Sequence, residues 1–280
     1  MSPLEFTLVL FLISILAGGL GSLLGLGGGV IVIPALTLLL KVDIRFAIGA
    51  SIVSVIATSS GAAAAYVREH MANLRVAMFL ELATTTGAIT GAFLAGRIQT
   101  GWLYLIFGAV LGFSAIEMLR KHRDKIQIQP PADSLADKLN LHDSYFDQSL
   151  GKVIAYRVTH CWLGLALMYV AGCVSGLLGI GSGALKVSAM DLAMGLPIKV
   201  SSATSNFMIG VTAAASAGIY LRRGDINPFI AAPVAAGVLL GAVAGSLFLG
   251  RLHNQWLRIV FIIVLLFISG QMIWTGVQRI

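Results

Sequence analysis

The sequence predicts an all-α polytopic membrane protein: two homologous repeats of about four transmembrane helices, each opening with a glycine-broken discontinuous or re-entrant helix. Two observations predict it. The first is a duplicated signature, in which residues 23–34 (LLGLGGGVIVIP) return 154 positions later as residues 177–188 (LLGIGSGALKVS). The same register pairs Tyr66 with Tyr220, Arg68 with Arg222, Asn73 with Asn227, Gly87 with Gly241, Gly91 with Gly245, Arg97 with Arg251 and Trp102 with Trp256. A register held over that length is the mark of a tandem duplication. The second is solvent: 58% hydrophobic residues, 11% charged residues and a mean hydropathy of +0.91 would leave a water-soluble fold with far too much apolar surface.

The repeats occupy residues 1–119 and 154–280, with a polar connector at 120–153. In the first repeat the spanning segments are 46–67, 74–96 and 102–119; in the second they are 200–221, 228–250 and 256–275. An irregular element opens each repeat. Residues 4–24 are long enough to cross alone, but 25–29 interrupt the helix and 30–40 are too short for another crossing. The pattern recurs as 159–178, 179–183 and 184–194. The first apolar run continues into the duplicated unit and lacks a basic leader, so it reads as structure and not as a cleaved signal. Unwound backbone at membrane depth requires protein or a water-filled cavity around it, which places both glycine knots inside the bundle.

Basic residues suggest an orientation. The connector carries Arg120, Lys121, Arg123, Lys125, Lys138 and Lys152, and two helices separate it from the loop at 68–75. With Arg222, Arg223 and Arg279 assigned to the same side, the positive-inside rule predicts eight crossings with both termini and the connector cytoplasmic. An even number of crossings relates the halves by an axis along the membrane normal; if the short segments also cross, the halves are inverted. The net charge of +7 sits largely in loops at helix ends, where it sets topology and does not mark a nucleic-acid surface. The connector is expected to be a linker with a short surface helix. Its basic start could touch anionic lipid, and a solvated loop is the simpler reading.

The knots suggest chemistry. Residues without side chains let successive N–H groups converge on an anion, and a helix starting just after them adds its positive end. Gly25, Gly27, Gly28 and Gly29 before Val30, and Gly179, Gly181, Ser182 and Gly183 before Ala184, have that layout. Four-residue glycine spacing also serves close helix packing, the preferred reading for Gly87/Gly91 and Gly241/Gly245 in uninterrupted helices. Lys186, three residues past the second knot, adds positive charge where the first repeat has Val32. An ionisable residue at membrane depth is a functional candidate by default, with snorkelling to the interface as the alternative. Ser201, Ser202, Thr204, Ser205 and Asn206 open the next helix and could donate hydrogen bonds to an oxyanion, although hydroxyls in such helices often bond their own turn. Glu81 and Asp191 are candidates for proton coupling; a neighbour such as Arg75 would give Glu81 a purely structural role.

No enzyme, cofactor or metal is indicated. Ser182 has Ile180 where a nucleophile elbow needs glycine, and the dinucleotide-like string at 179–184 has no strand before it. The two cysteines, Cys161 and Cys173, lie about 18 Å apart along one predicted helix, too far for a disulfide within it.

LGLGGGVIVIP and GIGSGALKVSAMDLAMGLPIKVSSATSNFMIGVTAAASAG resemble the sulfite exporter TauE/SafE type of transporter, over nearly the whole chain except the connector. The resemblance implies a prokaryotic inner-membrane carrier for small sulfur-containing or related organic anions such as sulfite, sulfoacetate or thiosulfate. In that reading the knots and Lys186 bind the anion, the hydroxyl run orients it, and access alternates between the two repeats. An anion channel with re-entrant half-helices and a non-transporting membrane subunit are the alternatives. One departure is visible: Ser188 stands where the first knot, like the family's second, continues to a proline, here Pro34.

Overall fold

A computed structural model describes residues 3–24, 28–68, 72–119, 133–147, 151–248 and 254–280. Among the described residues are eight long helices: α1 (Pro3–Leu24), α3 (Ile44–Arg68), α4 (Leu74–Arg97), α5 (Thr100–Leu119), α7 (Cys161–Leu178), α9 (Ile198–Arg223), α10 (Pro228–Phe248) and α11 (Asn254–Gln278). Two short helices, α2 (Gly29–Pro34) and α8 (Gly183–Ser188), each run into a π-helical turn, at Ala35–Leu39 and Ala189–Ala193. Windows of α4, α5 and α7 are long and apolar enough to cross a bilayer, and apolar stretches fill much of α1, α3, α10 and α11. On α1 the exposed Leu4, Leu8, Leu12, Leu16 and Leu20 recur every four residues, one apolar stripe facing outward. Such a stripe suits lipid and not water.

The seams of the bundle are made where glycine lets backbones touch. A Cβ built on Gly91 would lie 2.0 Å from the Cys173 carbonyl oxygen, and one on Gly176 would lie 2.0 Å from that of Ala88, so α4 and α7 lock side by side and parallel. The α1–α10 seam is built alike, with Gly18 against Val238 and Gly241 against the Ile15 carbonyl. Close packing is therefore the role of Gly87, Gly91, Gly237 and Gly241. Helices α3 and α9 run antiparallel, Gly49 facing Asp225 and Gly210 facing Ser59. So do α5 and α11, where the Ser269 hydroxyl donates to the Gly108 carbonyl at 2.7 Å.

This packing corrects the predicted sidedness. Asn73, just before α4, donates to the connector's Leu141 carbonyl and Tyr156 hydroxyl, both at 2.9 Å. At the far end of α4, about 36 Å away for 24 residues, Arg223 donates to the Ala92 carbonyl and Arg45 to that of Ile98. The Arg279 guanidinium stacks on Tyr104 near the start of α5, at that same far end. Helix α1 runs parallel to α10, which starts beside Arg223, so both termini lie together and opposite the connector. The cause is the short elements. Thr159 N donates to the Met194 carbonyl at 3.0 Å, showing that α8 and its π-turn return to the end where α7 began. Each half thus contains one more reversal than the eight-crossing count allowed.

The connector departs from an all-α expectation. Helix α6 (Ser134–Lys138) is followed by a two-stranded antiparallel hairpin, β1 (Asp143–Asp147) with β2 (Lys152–Tyr156), Tyr145 opposite Ile154. It is more than a solvated linker: Leu141, Tyr145, Tyr156 and Val158 pack with Val76, Leu80, Met190 and Met194 in one buried cluster. Burial pushes the Tyr156 phenol up to about 12. The Asp133 carboxylate, held below its ordinary range chiefly by the Cys161 N–H, clamps the connector to the start of α7 at 2.8 Å.

Candidate functional site

The second knot is a left-handed link. Gly179 (φ +66°) ends α7, and Gly181 (φ +75°) and Ser182 (φ +47°) follow before α8 begins at Gly183. Glycine reaches that region without a Cβ clash, whereas serine there is strained. In the first half, Gly25 and Gly27 lie outside the described residues. Gly28 is right-handed (φ −63°), and a Cβ on Gly29 would sit 3.3 Å from the Gly179 carbonyl oxygen. The start of α2 and the second break therefore meet inside the bundle, packed by Ser51, Val55 and Ile209.

The polar residues sort into different roles. Ser51 donates to the Gly179 carbonyl at 2.8 Å, and Ser205, its sequence mate, to the Gly183 carbonyl at 3.3 Å. Both hydroxyls fasten the second break, Ser51 to helix α3 and Ser205 to helix α9. Of the remaining hydroxyl run, Ser201 reaches back to the Leu196 carbonyl, Thr204 accepts from Asn73 N, and Ser202 is exposed. Asn206 is half-buried. The run is thus not one cluster facing the knots, because successive helical residues point about 100° apart.

Lys186 has no exposed surface. Its ammonium does not snorkel; it donates to Thr212 Oγ1 on α9 at 2.6 Å. Thr212 in turn donates to Glu81 Oε1 on α4 at 2.8 Å, and Thr85 donates to the same oxygen at 3.1 Å. Glu81 Oε2 and the Ser182 hydroxyl are buried with no partner among the described residues. Arg75, the sequence-level partner for Glu81, bonds instead to the Asn140 carbonyl. Thr212 and Thr85 were not singled out from sequence. Thr212 stands seven residues after Ser205, two helical turns on the same face, which is the signal that would have found it.

Two further features frame the site. Ser188, at the position where the first half has Pro34, donates to Glu117 on α5, so the departure creates a polar contact. Asp191 is half-buried in the π-turn. An open recess of about 400 Å³ at the terminus-bearing end is lined by Arg97, Ile98, Gln99, Trp102 and Ile106, none of them from the knots.

Re-entrant helices meeting around a buried lysine, within a bundle clad in exposed leucine and phenylalanine, define a multi-pass helical membrane protein with its charge held inside. Residues 10–272 match the family described as Sulfite exporter TauE/SafE, and the chain belongs to that family. It is 26% identical to the Probable membrane transporter protein YunE of Bacillus subtilis (strain 168), over 96% of this chain and 98% of that one. It is 28% identical to the Probable membrane transporter protein YdhB of the same organism, over 86% and 88%. A Probable membrane transporter protein of Xylella fastidiosa (strain Temecula1 / ATCC 700964) is 25% identical over 96% and 97%. No solved structure matches. The family and these relatives make the coarse class a membrane transporter, in line with the expectation that it is not an enzyme.

Proposed function

We propose that the protein is a secondary transporter carrying a small sulfur-containing or related organic anion, such as sulfite, sulfoacetate or thiosulfate, outward across a prokaryotic inner membrane. One observation carries this reading: the Ser182 hydroxyl, buried and without a partner among the described residues, stands four residues before the buried Lys186, whose ammonium has three donors and, among the described residues, one acceptor in Thr212. Buried polar groups are ordinarily satisfied, so donors left over at Ser182 and Lys186 suit an oxyanion. The glycines around them, filled by Ile209 and Val55, describe an occluded site and favour a carrier over an open channel. The antiparallel α3–α9 and α5–α11 pairs support reading the halves as inverted repeats, with alternating access at their meeting point.

The decisive experiment is counterflow in proteoliposomes loaded with sulfite, thiosulfate or sulfoacetate. Saturable exchange of at least one of them supports the carrier, conductance without exchange indicates a channel, and neither overturns transport of these anions. The basic connector face is assigned to the cytoplasm. A tag in the connector and a tag after Ile280 should then label from opposite sides of inverted and right-side-out vesicles. Labelling from one side would overturn the two-sided topology.

A further inference from the structure

Resting on the carrier reading above, we infer that Glu81 and Lys186 form a proton-linked charge switch: the transported anion replaces the Glu81 carboxylate as the partner of Lys186, and Glu81 takes up a proton as it does so. The two groups stand on different elements, α4 and α8, joined through one hydroxyl on a third, α9. Both are buried, with Glu81 9% exposed and Lys186 not at all. Without substrate, ammonium and carboxylate neutralise each other through Thr212. When an anion takes the free N–H donors of Lys186, the carboxylate would remain as an uncompensated buried charge beside it, a state proteins avoid by protonation. Glu81 Oε2, which lacks a partner among the described residues, is the oxygen open to that proton.

Charge and atoms balance. The empty site holds one ammonium and one carboxylate; the loaded site holds the ammonium, the anion and a carboxylic acid, the added proton coming from the side on which the anion enters. A univalent anion therefore travels with one proton and no net charge, and a divalent one such as thiosulfate or sulfoacetate with one proton and one net negative charge. Among the described residues the charged group facing Glu81 is Lys186. Arg75 and Arg97 stand at the ends of α4, Lys199, Tyr220, Arg222 and Arg223 near the ends of α9, and Asp191 on the π-turn after α8. On α7, Cys161 lies at its start, while Tyr169 and Cys173 face Gly87 and Gly91, further along α4. Val32 and Thr58 in the first half and Ala235 in the second stand at the positions matched to Lys186, Thr212 and Glu81, so the charged pair is not duplicated.

The test uses the full chain in liposomes, clamped at zero potential with potassium and valinomycin, with an entrapped pH dye and an inward gradient of thiosulfate, or of sulfoacetate if thiosulfate is not exchanged. The wild type should acidify the lumen in step with anion entry, and entry should be about tenfold faster at pH 6 than at pH 8. Glu81→Gln should bring that ratio below about twofold and abolish acidification, whereas Glu81→Asp should retain both. Net anion entry into wild-type liposomes without acidification overturns the switch and leaves the carrier standing, a result independent of whether any variant folds. Acidification that persists in Glu81→Gln also overturns it. Absence of exchange with all three anions removes the carrier reading and this inference together.

Discussion

The two re-entrant elements differ where they matter. Gly29–Leu39 and Gly183–Ala193 have the same length and the same order of short helix and π-turn. Along the first run Val32, Pro34 and Thr37, its one hydroxyl bonded back to the Ile33 carbonyl. The matched residues of the second are Lys186, Ser188 and Asp191. The backbones differ too: Gly28, free to adopt a left-handed conformation, is right-handed, while its mate Ser182 is left-handed at a cost of about 1–2 kcal/mol. The contrast teaches that the first copy supplies shape and the second supplies charge, with strain retained beside the charge.

The comparison breaks most readily at the glycines. Gly181→Val should abolish both folded yield and transport, since it puts a β-branched residue at φ +75° with its Cβ 2.7 Å from Ile209. Gly28→Ala meets only the movable Val238 side chain from an ordinary backbone, so it should cost about 1–3 kcal/mol and leave measurable protein. Melting curves of the two purified variants check this, and equal losses would erase the backbone difference. Next is Lys186→Met, which should lower anion affinity about 100-fold, the upper end for hydrogen bonds to a charged group. Val32→Leu, at the matched position, should stay within a few-fold of wild type in the same counterflow assay. The smallest effect is also the most discriminating. Ser182→Gly should raise stability by about 1 kcal/mol through relieved strain while weakening the anion about tenfold through the lost hydroxyl. A variant that gains stability with wild-type affinity would confine Ser182 to the fold.

Much of the architecture was legible because hydrophobic runs and glycine breaks are local signals. The ends of α4, α9 and α10 follow from Asn73, Gly224 and Pro228, and the second break falls where the duplicated string put it. Lys186 and Glu81 were visible as ionisable residues in apolar surroundings, but their partnership was not, because Thr212 lies 131 residues from Glu81 and only the tertiary fold brings them together. Sidedness failed for a countable reason, the extra reversal contributed by each short element. The connector hairpin was missed although Tyr145 and Tyr156 are its buried residues, since its strands are only five residues long and are flanked by charge.

The glycine seams carry a consequence for biosynthesis. Each joins a helix of one half to a helix of the other, α1 to α10 and α4 to α7, so neither half completes its own packing as it leaves the ribosome. Helix α4 must wait in the membrane, its small-residue groove filled by lipid or by the insertion machinery, until α7 emerges from beyond the connector. Helix α1 waits longer still, until almost the whole chain has been made. Either half synthesised alone would expose those grooves, and simultaneous production of both would restore assembly in place of two independent domains.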